Sequence, residues 1–106
     1  MRVCFDIDGT LCTNTDGRYE EAQPYPEVIA EVARVRAAGH RIILYTARGN
    51  TTGVDWRELT LRQLAAWGVQ YDDLVLGKPT ADVYIDDRAV NTFDWKRAGY
   101  ALTLPT

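Results

Sequence analysis

Phe5-Asp6-Ile7-Asp8-Gly9-Thr10 closes the short apolar run Val3-Cys4-Phe5, and the rest of the chain is read from it. Strand side chains alternate, so carboxylates two positions apart at a strand end are expected on one side. Gly9 is free to take a positive φ and lets the backbone leave the sheet sharply. The spacing therefore predicts two acids held together beside a loop of exposed amide N–H groups. Such a pair is costly without a cation. It suits a carboxylate nucleophile, a neighbouring proton donor and Mg²⁺ acting on a phosphate group. As the start of a calcium loop the stretch fails, because an EF-hand needs Gly and Glu where this chain has Leu11 and Gly17.

The 106 residues suit one domain, 1–106, with a real core. Hydrophobic content of 46% and charged content of 25% are those of a soluble globular chain. A net charge of −3 gives no basic field to attract nucleic acid or an anionic membrane. The opening apolar run is too short for a signal peptide or a membrane span. Cys4 and Cys12 form no C-x-x-C pair, and with His40 as the single histidine no zinc set can be assembled. Both are read as reduced packing residues, Cys4 in a buried strand, and the chain as cytoplasmic.

Strand and helix patterns alternate. Residues 2–7 read as a first strand, followed by a polar loop over 11–24 that ends at Pro24 and Pro26. Val28, Val32 and Val35 recur at helical spacing from Glu27, and Gly39 supplies a stop. Arg41–Thr46 is a continuous apolar run, as in a strand buried on both faces. Asp55 reads as an N-cap with Glu58 three positions on, opening a helix through Leu59, Leu61 and Leu64 to Trp67 and Gly68. Strands are expected at 73–76 and 82–86, a helix at 91–98, and a last strand at 100–104. The alternation predicts an α/β fold, a mostly parallel sheet with helices on both faces and ligands at the carboxyl ends of the strands. Asp6, Asp8, Thr46, Asp86 and Asp87 all fall at such ends, with Lys78 in a loop between strands.

FDIDGT at 5–10, IILYT at 42–46, GKP at 77–79 and VYIDD at 83–87, in this order, resemble the haloacid dehalogenase-like superfamily of mostly Mg²⁺-dependent phosphatases. The resemblance covers essentially the whole chain. It implies a three-layer Rossmann-like core with a five-stranded sheet in the order 5-4-1-2-3. It also implies the site roles. Asp6 is the nucleophile that forms an aspartyl-phosphate, and Asp8 the general acid and then base. Thr46, with Ala47 and Arg48 after it and the Gly9-Thr10 turn opposite, would bind phosphate. Lys78 supplies a fixed positive charge. Mg²⁺ would be held by Asp6, the main-chain carbonyl of Asp8 and Asp86, with Asp87 on a metal-bound water or orienting its neighbours.

The stretches between Asp8 and Thr46, and between Thr46 and Lys78, are filled by core elements, which leaves no room for a cap domain. An open site of this kind suggests a dimer or tetramer whose neighbouring subunit covers it. Substrate choice then falls to the loops 13–24 and 47–54, where Asn50 and Thr51 offer hydrogen bonds suited to hydroxyls. TARGNTTGVDWRE at 46–58 and FDIDGTLCTNTDG at 5–17 are similar to small phosphatases of capsular or surface polysaccharide synthesis. The expected reaction is hydrolysis of a small phosphate monoester, favouring a phosphorylated sugar. Three alternatives stand beside it, one of them a degenerate family member that only binds phosphate, which is disfavoured because no catalytic position is missing. A receiver-like phosphoacceptor module shares the residue types, but its Asp, Thr and Lys come in a different order. A nucleotide or nucleic-acid-end phosphatase is disfavoured by the acidic balance.

Overall fold

The computed structural model describes residues 1–49 and 53–102. Its frame is a parallel sheet of β1 (Arg2–Asp6), β2 (Arg41–Thr46) and β3 (Asp73–Leu76), in the order β1-β2-β3. Three helices accompany it: α1 (Pro26–Ala37), α2 (Arg57–Trp67) and α3 (Thr92–Arg97). A single 3₁₀ turn, Tyr19–Glu21, sits in the loop before α1.

The register pairs Phe5 with Leu44 and Leu44 with Leu74. Partners in register share a face of the sheet. On that face Phe5, Ile42, Leu44 and Thr46 are buried, together with Ile7, Val28, Val32 and Leu64. Each large aliphatic side chain fully removed from water contributes roughly 1.5–3 kcal/mol, so this one cluster accounts for most of the driving force. Trp95 of α3 closes it over Phe5, with ring centroids 5.5 Å apart.

The opposite face is only half covered. Cys4 and Val75 are exposed there, and Ile43 and Tyr45 are half-buried. The expectation that β2 is buried on both faces is thus corrected: its burial alternates residue by residue. Cys4, read as buried, is exposed for the same reason.

Helix ends follow local chemistry. Pro26 opens α1, where its missing N–H costs nothing. Gly68 ends α2 in the left-handed region at φ 71°. The cap of α2 lies one residue later than the sequence suggests: Trp56 occupies it, and Asp55 accepts from the Arg57 N–H instead. Asn91 caps α3 through its side chain, which accepts from Phe93 N at 2.9 Å.

Among the described residues, three of the five expected strands pair in the sheet. Residues 82–86 form no strand; Val83, Tyr84 and Ile85 are exposed, Ile85 to 98%. They lie between Asp82 and Asp86-Asp87, and Tyr84 turns its hydroxyl back onto the Pro79 carbonyl and the Ala81 N–H. The segment is bound to its own loop rather than laid along the sheet. Of the expected last strand, residues 100–102 are not extended ladder, and 103–104 lie outside the described residues. The outer edge of β1 consequently has no strand partner among the described residues. A cavity of about 910 Å³ opens along it.

Candidate active site

Asp6 is the last residue of β1 and lies on the half-covered face, where it lines the cavity with Thr10, Lys78, Tyr84 and Asp86. Lys78 reaches it from across the sheet. The Gly77 and Lys78 N–H groups both donate to the Thr46 carbonyl at 3.0 Å, which hangs the loop after β3 from the end of β2. This brings Lys78 Nζ to 3.6 Å from Asp6 Oδ1, and the same ammonium lies 4.4 Å over the Tyr84 ring. Burial pushes the Asp6 carboxyl above its ordinary value. The Lys78 charge and the Ile7 N–H pull it back, and the Asp8 charge adds to the rise. Lys78 therefore works to keep the candidate nucleophile ionised.

Asp8 goes the other way. Past the strand end the chain bends at Ile7, and Gly9 turns it at φ 86°. The Asp8 carboxylate meets Arg48 in a fork: Nε donates to Oδ2 and Nη2 to Oδ1, both at 2.9 Å. The Arg48 side chain is 0% exposed and that of Asp8 17%. Arg48 Nη1 donates to Thr60 Oγ1 at 3.0 Å and Gln63 Oε1 at 2.6 Å, and the Tyr19 ring lies 4.7 Å from the guanidinium carbon. Gly49 follows Arg48 at φ 88°, and a Cβ there would meet the Val54 carbonyl oxygen at 2.6 Å, so only glycine fits.

Several expected ligands are occupied otherwise. The Gly9, Thr10 and Leu11 N–H groups donate to Cys12 and Ile7 carbonyls, so the turn is not the open amide loop predicted. Thr10 is buried and shares a 2.7 Å hydroxyl–hydroxyl hydrogen bond with Thr92 of α3. Thr46 is 1% exposed and accepts from the Arg48 N–H at 3.1 Å. Ala47 is half-buried in the turn between them. Arg48, whose place after Thr46 suits a substrate anion and a salt bridge equally, is spent on a salt bridge to Asp8 and on α2. Asn50 and Thr51 lie outside the described residues.

Hard oxygen donors of the kind Mg²⁺ takes are present, but their arrangement is incomplete. Asp6 and Asp86 line one cavity, whereas Asp87 is exposed beside it. Among the described residues no three His, Cys, Asp or Glu side chains come together around a point that could hold a metal ion. Asp6 and Asp86 thus supply the donor chemistry the ion takes, with no third such side chain gathered beside them among the described residues.

Three participants were not read from the sequence: Thr60, Gln63 and Thr92. The first had a signal, since Thr60 stands i−4 from the buried Leu64 on the core-facing stripe of α2, where a polar residue needs a buried partner. Cys12, read as packing, is that and a neighbour of Asp8. Its thiol donates to the Ile7 carbonyl and Asp8 Oδ1, both at 3.6 Å, and burial pushes it up to about 12.

No protein-family model and no curated protein sequence matches the chain. Solved structures do. A Vibrio cholerae protein is 27% identical with a TM-score of 0.78, the match covering 89% of this chain and 85% of that one. A Pnkp1/Rnl/Hen1 complex, an RNA repair assembly, contains a chain that is 30% identical, TM-score 0.56, over 82% of this chain but 30% of its own length. The D,D-heptose 1,7-bisphosphate phosphatase of B. bronchiseptica, solved with magnesium and phosphate, is 23% identical, TM-score 0.56, over 76% of this chain and 51% of that one. The chain thus spans under a third and about half of the latter two. These neighbours share the chain's α/β fold.

Proposed function

We propose, from a fold and motif order like those of the haloacid dehalogenase-like phosphatases, that this chain hydrolyses phosphate monoesters with Asp6 as nucleophile. The observation that carries the reading is the Asp6–Lys78 pair at the carboxyl ends of β1 and β3, set at the mouth of an open cavity. Asp6 would attack phosphorus, forming an acyl phosphate as the bond to the ester oxygen breaks. Asp8, carrying a proton in the substrate complex, would give it to that oxygen, then take one from the water that hydrolyses the acyl phosphate. Lys78 would balance charge on the phosphoryl group in the loose transition state.

Mg²⁺ is the proposed cofactor, its ligands the Asp6 and Asp86 carboxylates and the Asp8 carbonyl, with Asp87 beside them. When bound it would supply charge neutralisation for the phosphoryl group. That ligand set requires residues 82–87 to settle along the open edge of β1, as a fourth strand in the order 5-4-1-2-3 would do. The absence among the described residues of a cap over the cavity leaves room for a small phosphorylated metabolite. The polar loops 13–24 and 47–54 favour a sugar phosphate, as polysaccharide synthesis would supply, and a neighbouring subunit as cover. Free thiols favour a cytoplasmic setting, and no helix among the described residues is long and apolar enough to cross a membrane.

A second reading, a phosphatase of nucleic-acid ends, draws on the RNA repair neighbour. The net charge of −3 weighs against it. The test is phosphate release, with Mg²⁺, from sugar, polyol and nucleotide monophosphates and a phosphate-ended RNA oligonucleotide. Sugar or polyol phosphates should be turned over, and Asp6→Asn should lose at least about a thousandfold in rate. Turnover retained in Asp6→Asn rejects the nucleophile, and preference for the oligonucleotide selects the second reading.

A further inference from the structure

We propose that Arg48 is a positioning residue: it fixes the plane and direction of the Asp8 carboxylate and ties both to the 11–25 loop. The inference rests on Asp8 being the acid–base partner of the reaction proposed above.

The donor inventory carries it. A guanidinium has five N–H groups in a rigid plane and no acceptor. Here Nε and Nη2 donate to the two oxygens of Asp8, Nη1 donates to Thr60 and Gln63, and Nη2 also faces the Cys12 sulfur at 4.0 Å. With the Tyr19 ring packed beside it, the fork can neither tilt nor slide. A carboxylate held bidentately by such a fork is fixed in orientation as well as in place. Lysine could supply the charge but not the plane.

Burial sharpens the argument. Taking a guanidinium fully out of water is expensive, and a well-packed apolar side chain of similar volume commonly stabilises a fold as well or better. Stability alone is thus a weak reason for an arginine whose side chain is 0% exposed. What the arginine supplies, and an apolar residue cannot, is the aim of Asp8.

The same network extends outward. Gln63, which holds Nη1, also donates from Nε2 to the Tyr19 carbonyl at 2.6 Å. Tyr19 packs edge-on against Trp56, ring centroids 5.1 Å apart. Tyr19 belongs to the loop that Thr13 and Tyr25 N–H groups anchor to Gln23 and Leu11 carbonyls. A substrate that presses on this loop therefore acts on Gln63 and Arg48 together, and through them on Asp8.

Leaving-group dependence separates this role from the others. An alkyl phosphate needs a proton on its departing oxygen, whereas p-nitrophenolate leaves without one. The value of kcat/KM reports steps through the first chemical one, so the ratio for alkyl over aryl ester reads the aim of Asp8 as acid. In Arg48→Lys, measured with Mg²⁺, the alkyl ester should lose about a hundredfold in kcat/KM and the aryl ester far less, since general acid catalysis supplies about 10²–10⁴. Gln63→Met, which keeps the arginine, should shift the ratio the same way by a smaller factor. Adding Arg48→Lys to Asp8→Asn should leave the ratio unchanged.

Equal losses on both esters in Arg48→Lys and Gln63→Met mean a structural or phosphate-binding role and overturn the proposal. Should Arg48→Lys fail to fold, the Gln63→Met ratio decides alone. A wild-type protein inert toward both esters is a different failure, visible before any substitution, and removes the phosphatase reading itself.

Discussion

Asp6 and Asp8 are two residues apart and live in different surroundings. Asp8 faces inward, to a buried arginine whose donors go to Asp8 and Cys12 of the first turn and to Thr60 and Gln63 of α2, with the Tyr19 ring beside it. Asp6 faces outward, to one lysine at 3.6 Å, an open cavity and the exposed segment 79–91. The contrast shows how one strand end divides its labour. The proposed proton-transfer group is held by the core, while the proposed nucleophile stands at the mouth of the open cavity. The inner half is closed by its own side chains, and the outer half stands open.

Ion-pair deletions test that contrast most strongly. Arg48→Ala leaves Asp8 uncompensated and Thr60 and Gln63 short of a partner, and should cost about 3–5 kcal/mol of unfolding free energy. Lys78→Ala removes a pair that is partly solvated, 20% and 38% exposed, and should cost no more than about 1 kcal/mol. Denaturant titration of both variants checks this, and equal losses would erase the distinction between the two sides.

Metal addition probes the outer half alone. Mg²⁺ at a hundredfold excess over its dissociation constant should stabilise the protein by about 2.7 kcal/mol, if it binds only the folded chain. It should also slow protease cleavage within 79–91, because Asp86 and Asp87 lie in that segment. Unchanged melting and cleavage after Mg²⁺ or EDTA would remove the proposed ligand set.

The thiols give the mildest probe. Cys4 is exposed on the cavity side, and Cys12 is buried beside Asp8 with its thiol pushed up to about 12. A thiol reagent at pH 8 should label Cys4 in the folded protein and reach Cys12 only on unfolding. Rapid labelling of Cys12 would show that the inner half opens.

Much of the frame could be read from local pattern. Val28, Val32 and Val35 announce α1, the run 41–46 gives β2 to the residue, and Gly68 stops α2. Side-chain destinations were less legible. Alternation suggests that Asp6 and Asp8 share a side, but Asp8 lies beyond the bend at Ile7, where strand period no longer applies. Arg48 suits an anion ligand and a salt bridge equally, because its position after Thr46 carries no information about burial; Thr60 and Gln63, a turn apart on α2, settle its direction. Residues 82–86 have the apolar pattern of a strand, yet pattern does not specify a pairing partner, and Tyr84 closes on Pro79 and Ala81 instead.

The most direct measurement of the central claim is acid-quench trapping of phosphoprotein from radiolabelled p-nitrophenyl phosphate, whose leaving group needs no proton from Asp8. It compares wild type, Asp6→Asn and Asp8→Asn. The account predicts acid-stable, hydroxylamine-labile label on the wild type, more of it on Asp8→Asn, where the second step is slowed, and none on Asp6→Asn. Label that persists in Asp6→Asn, or disappears only in Asp8→Asn, would contradict it.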